Sequence, residues 1–201
     1  MKMHVKICGI TSVEAAEAAV AAGADAVGFV FADSARKITP EDAARIAADL
    51  PGRVERFAVF LSPTERAVGR VLSVFPADVV QADYGALTQP DGARLLPVFR
   101  EGDHRVLDDY LDDTIGRRFH YEGRVGGSGE TVDWLVAARL AGRGRMTLAG
   151  GLDPDNVTEA IGLVQPFGVD VSSGVESAPG VKDALKIRDF VETVRDLEKE
   201  R

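Results

Sequence analysis

Short apolar runs rich in β-branched and aromatic residues recur along the whole chain, separated by segments of helical spacing. The runs are HVKICGI, DAVGFVF, ERFAVFL, DVVQA, LLPVF, RMTLAG and VDVSS. Between them lie stretches such as VEAAEAAVAAGAD and EDAARIAADLPG, which space their apolar residues for a helix. Strand runs that are apolar throughout are buried on both faces, as in a parallel sheet. Strict alternation of this kind restricts the chain to the α/β class.

An eighth strand is expected over 117–122 (RRFHYE), weak by propensity but correctly spaced. Eight βα units in 201 residues leave about 25 residues each, near the lower limit of a (β/α)₈ TIM barrel. The expected fold is that barrel, as one compact domain over residues 1–201. A doubly wound open sheet competes, but no GxGxxG follows the first strand. Helix starts are signalled by the capping-box spacings Thr11–Glu14 and Ser62–Glu65, and by Thr39-Pro40 and Asp153-Pro154. Gly23 and Gly52 are placed to end helices.

Composition excludes some functions. A net charge of −8 argues against a nucleic-acid partner. No apolar run approaches the roughly 20 residues that span a bilayer, so no membrane partner is expected. The opening MKMHVKICG lacks the apolar core of a signal peptide, and a single cysteine permits no internal disulfide. A reducing, cytoplasmic setting is the expectation. No His/Cys ligand spacing appears, so no metal is expected.

In a barrel, chemistry belongs at the C-terminal ends of the strands. AGGLDPDNV and DVSSGVE put Gly150, Gly151, Ser172, Ser173 and Gly174 in two successive small-residue turns there. Backbone amides in such turns, backed by a helix N-terminus, suit a phosphate. VGGSGETVDW is a third glycine-rich loop; Ser128 can cap or bind, and Trp134 packs its helix on the barrel. Arg36 offers a fork of donors for a carboxylate, or is a solvated surface charge. Cys8 is either an inert core thiol or a base. It shares a strand face with Lys6, whose ammonium favours the thiolate. His104 and His120 have no obvious Ser or Cys partner in the sequence.

KICGI, GADAVGFVF followed by SARKI, VFLSPT, GGSGETVDW, AGGLDPDNV and DVSSGVESAPGVKD occur in this order. Together they resemble the phosphoribosylanthranilate isomerase family of tryptophan biosynthesis over essentially the whole chain. The resemblance implies a (β/α)₈ barrel that performs an Amadori rearrangement on a phosphorylated small molecule, without cofactor. It implies Cys8 as general base, Arg36 beside the anthranilate carboxylate and Asp170 near the reacting ribose. It implies a phosphate grip at Gly150–Gly151 and Ser172–Gly174, and a cytoplasmic monomer or homodimer. The family acid is usually an aspartate shortly before GG[ST]G; here Glu122 stands at that spacing, with Asp112 and Asp113 as alternatives. Two further departures are VQADYG, where the family commonly has QLHG, and SARKI, where a proline often follows the serine. An isomerase of the analogous histidine-pathway substrate and a non-catalytic sugar-phosphate binder are the competing readings.

Overall fold

The computed structural model describes residues 2–112, 116–124, 129 and 131–199. Eight parallel strands close into a barrel in sequence order. They are β1 (His4–Cys8), β2 (Ala26–Val30), β3 (Glu55–Val59), β4 (Val79–Asp83), β5 (Arg94–Arg100), β6 (Arg118–Glu122), β7 (Arg145–Leu148) and β8 (Gly168–Val171). The helices are α1 (Val13–Ala22), α2 (Pro40–Ala47), α3 (Glu65–Leu72), α4 (His104–Asp112), α5 (Trp134–Ala141), α6 (Val157–Val164) and α7 (Ala184–Lys199). A short antiparallel pair, β9 (Glu176–Ala178) and β10 (Val181–Lys182), is inserted between β8 and α7.

The alternation expected from the sequence is broken once, because β4 runs to β5 without a helix. Residues 84–93 carry Gly85 and Gly92 at φ 80 and 76 and include Pro90, which is turn chemistry rather than helix chemistry. Several helix ends also differ from the spacing rules. Ser12, not Thr11, caps α1, accepting from the Ala15 amide, and Thr64 rather than Ser62 caps α3. Asp153 and Pro154 form a turn ahead of α6, whose N-cap is Asn156. Gly23 does close α1 in the left-handed region, whereas α2 ends before Gly52, at Ala48.

Alternation along each strand builds two separate cores. Outward residues such as Val5, Ile7, Val27 and Phe29 join the large cluster under the helices. Inward Ala26, Phe57, Val79 and Leu96 form a small apolar layer inside the barrel. That layer separates two polar poles. At the N-terminal pole His4 Nε2 lies 2.9 Å from Glu55 Oε2, and Arg94 donates to Glu55 Oε1 at 2.5 Å. Arg118 Nη1 is 3.6 Å from the same carboxylate.

His4 first, then Arg94 and Arg118, outweigh burial and hold the Glu55 carboxyl at about 2, against an ordinary 4.5. Its folded value is depressed, so its stabilisation is complete above the ordinary value and disappears as pH falls toward 2. Glu55→Gln should destabilise the barrel by about 1–3 kcal/mol at neutral pH. The gap between the two urea midpoints should shrink between pH 4.5 and about 2. A gap constant across that window would remove Glu55 from the acid response.

Candidate active site

At the opposite pole the strand ends surround a cleft open to solvent. Eight of the expected site residues line it: Cys8, Arg36, Glu122, Gly150, Gly151, Asp170, Ser172 and Ser173. They come from β1, β6, β8 and the loops after β2, β7 and β8, which only barrel closure brings together. Gly174 stands behind this wall. A Cβ there would run into the Leu152 carbonyl and lie 2.9 Å from Asp153 Cα. Glycine at that point lets the turns after β7 and β8 touch.

Cys8 ends β1 with its side chain inward and only 8% exposed. Its register partner on β2 is Gly28, where a Cβ would sit 2.9 Å from Cys8 Sγ and 3.1 Å from Lys6 Cε. The glycine therefore makes the room that both side chains occupy. Lys6 is opposite Asp170 in the β1–β8 register and donates to Asp170 Oδ2 at 2.6 Å. Both are nearly inaccessible, so each charge depends on the other. Burial pushes the Cys8 thiol up; Lys6 and, more weakly, Lys182 pull it back without cancelling that push.

Glu122 ends β6 and receives a hydrogen bond from Arg100 Nη1 to Oε1 at 2.5 Å. Burial alone would raise this carboxyl, but His120, Arg100 and Lys6 outweigh it and hold it below the ordinary glutamate value. Of the alternatives, Asp112 is exposed at the end of α4 and accepts from Arg143 at 2.6 Å, outside the cleft. Asp113 and Ser128 lie outside the described residues.

Arg36 is not a solvated surface charge. Its Nε and Nη2 grip Glu176 Oε1 and Oε2 at 2.7 and 2.9 Å. Lys182, 1% exposed, donates to the same Glu176 at 2.8 Å and to the Ser172 carbonyl at 2.9 Å. Ser172 Oγ in turn donates to the Cys8 carbonyl at 3.1 Å. The β9–β10 insert thus ties the loop of Arg36 to the ends of β8 and β1. After β7, Asn156 donates to the Gly151 carbonyl at 2.7 Å and fixes the first small-residue turn.

The sequence reading gave His120 no role and did not single out Arg100, Glu176 or Lys182. His120 lies inside the barrel, 1% exposed, with Nδ1 3.9 Å from Asp170 and Nε2 3.8 Å from Glu122. Period-two parity with Glu122 was the available signal, since both point inward from β6. The pairing of Arg36 with Glu176 spans 140 residues and left no local trace.

A family model for N-(5′-phosphoribosyl)anthranilate isomerase matches residues 5–193. The chain belongs to the N-(5′-phosphoribosyl)anthranilate isomerase family. It is accordingly an enzyme, an isomerase of the tryptophan-biosynthesis class. It is 44% identical over 209 residues to N-(5′-phosphoribosyl)anthranilate isomerase of Trichlorobacter lovleyi, covering 96% of this chain and 98% of the relative. The Pelobacter propionicus isomerase is 39% identical, with 98% of each chain covered. The crystal structure of phosphoribosyl anthranilate isomerase from Thermotoga maritima superposes with a TM-score of 0.83 at 37% identity, over 97% of this chain and all of that one. A family structure in complex with reduced 1-(o-carboxyphenylamino)-1-deoxyribulose 5-phosphate gives 0.81 at 36%, with the same coverage. Among the described residues no helix is long and apolar enough to cross a membrane.

Proposed function

We propose that the chain converts N-(5′-phosphoribosyl)anthranilate to 1-(2-carboxyphenylamino)-1-deoxyribulose 5-phosphate with Glu122 as general acid and Cys8 as general base. The observation that carries this is the one cleft lined by the Cys8 thiol, the carboxylates of Glu122 and Asp170 and two small-residue turns. The turns at Gly150–Gly151 and Ser172–Gly174 hold the phosphate through backbone amides. Arg36 faces the anthranilate carboxylate, and Phe60 and Leu61 supply an apolar wall for its ring. Asp170, fixed by Lys6, stands beside the ribose.

Glu122 gives its proton to the ribose ring oxygen, the C1–O bond breaks, and the nitrogen lone pair forms a C1=N iminium. The Cys8 thiolate then takes the C2 proton. The C2–H electrons become a C1=C2 bond, and the iminium electrons return to nitrogen. The enolamine loses its hydroxyl proton and gains one at C1 to become the ketone. The iminium is the electron sink, so the steps need only these two proton-handling groups.

In the resting enzyme Cys8 holds a proton and Glu122 does not, because burial raises the thiol and surrounding cations lower the carboxyl. The reacting form has that proton exchanged. It is depleted below the Glu122 value, where both groups are protonated, and above the Cys8 value, where neither is. The kcat/KM profile is therefore flat between a carboxylate limb on the acid side and a thiol limb on the alkaline side.

The enzyme acts in the cytoplasm as one barrel domain, as a monomer or homodimer. The Thermotoga maritima isomerase is dimeric, and monomers of it have been generated and crystallised, which supports a dimer as one of these states. Purified chain should discharge the anthranilate fluorescence of the substrate as product forms; no turnover at any pH between the two limbs overturns the assignment. Gly174→Ala should raise KM roughly tenfold, equivalent to about 1.4 kcal/mol, by parting the two turns. An unchanged KM would remove these turns from the phosphate grip.

A further inference from the structure

We propose that Arg100, anchored by Asp83, is the positioning residue of Glu122: it fixes one carboxyl oxygen at the strand end and leaves the other to meet the substrate. The inference rests on the reading of Glu122 as the acid. Strand register is its basis. Arg100 is directly opposite Glu122 in the β5–β6 ladder, and Asp83 is opposite Val98, two residues earlier on the same strand.

Arg100 Nη1 lies 2.5 Å from Glu122 Oε1, and Nη2 lies 2.7 Å from Asp83 Oδ1. The anchor is itself held, since Asp83 Oδ2 accepts from Ser62 Oγ at 2.8 Å. The Arg100 amide donates to Asp103 at 3.0 Å, which fixes the end of β5. A glutamate has three rotatable bonds, and ordering them only in the reacting complex would add to the barrier. The fork removes that freedom beforehand. It engages Oε1 alone; Oε2 lies 3.8 Å from the His120 ring nitrogen Nε2, longer than a hydrogen bond.

The titratable groups around Glu122 come from several strands. His120 is on its own strand, Arg100 on β5, Asp83 on β4, Lys6 and Cys8 on β1, and Asp170 on β8. Arg100 divides its charge between two carboxylates. Removing Arg100 leaves Glu122 easier to protonate. Neutralising Asp83 turns the whole guanidinium charge on Glu122 and makes it harder to protonate. The two substitutions therefore act with opposite sign, which a purely structural role would not produce.

The test is the kcat/KM pH profile of full-length Arg100→Gln, Arg100→Lys and Asp83→Asn, each checked for fold by circular dichroism across the range. Arg100→Gln should move the acid limb to higher pH and lower kcat at least tenfold; Arg100→Lys should recover part of both effects. Asp83→Asn should move the limb to lower pH. If Arg100→Gln does not fold, the direction of Asp83→Asn decides alone. An unmoved limb, or shifts of the same sign, overturns the inference. Glu122→Gln separates the two levels. If it stays active and keeps the limb, the reading of Glu122 fails; if it is inactive while the other variants leave the limb in place, only the role of Arg100 falls.

Discussion

Cys8→Ser is expected to lower kcat by about 10²–10⁴-fold, the usual contribution of a positioned general base. Serine matches the thiol closely in size but gives up its proton far less readily, so the loss isolates chemistry from packing. The pocket is well suited to show this. Sγ sits against the vacant face of Gly28 and beside Lys6, so a hydroxyl fits where the sulfur was. Circular dichroism and the urea midpoint should remain near those of the parent chain. The alkaline limb of the pH profile should also disappear, because burial places the Cys8 thiol above its ordinary value and that titration defines the limb. A Cys8→Ser enzyme with full turnover, or one that keeps the alkaline limb, would return Cys8 to the status of a core residue.

On the proposed mechanism, Lys6 lets the thiol act from a buried position. A lone thiolate in the barrel interior would be too costly to form. The Lys6 ammonium favours it, and Asp170 in turn keeps Lys6 charged: burial would lower Lys6, but Asp170 and Cys8 together leave it raised. The proposed base is therefore a unit of three side chains from two adjacent strands.

How far this arrangement could be read from the sequence depended on range. The strands were legible because β-branched runs such as HVKIC and AVGFV are buried on both faces and have no other use. The two small-residue turns were legible because their requirement is local backbone geometry. Two helix starts were read one or two residues early, since Thr11 and Ser62 offer the same hydroxyl as the true caps Ser12 and Thr64. The missing helix between β4 and β5 was overlooked in favour of strict alternation, although Pro90 and Gly92 marked it. What stayed hidden were side-chain pairings across the barrel. Lys6 with Asp170 spans 164 residues and Arg36 with Glu176 spans 140. Only closure of the sheet brings such groups together, so spacing carries no record of them. Arg36 shows the consequence, for a lone loop arginine in the sequence became one half of a bidentate ion pair.

Glu122→Gln should reduce kcat by about 10²–10⁴-fold as well, with a different accompanying change. The amide keeps the length and the acceptor oxygen of the side chain, so Arg100 can still hold it, but it has no acidic proton to give the ring oxygen. Ring opening then becomes limiting, and the acid limb of kcat/KM, which belongs to the Glu122 carboxyl held low by His120, Arg100 and Lys6, should vanish. Glu122→Asp is the informative companion. It retains the acid but withdraws it by one methylene from both Arg100 and the substrate, and a displacement of about 1 Å can cost roughly a hundredfold. Its kcat should therefore lie between parent and Glu122→Gln, with its acid limb moved up because the fork no longer reaches it. An aspartate variant as fast as the parent with an unmoved limb would mean that neither the length of this side chain nor its tie to β5 matters. The acid would then have to be sought elsewhere on the rim, with Asp170 the first candidate.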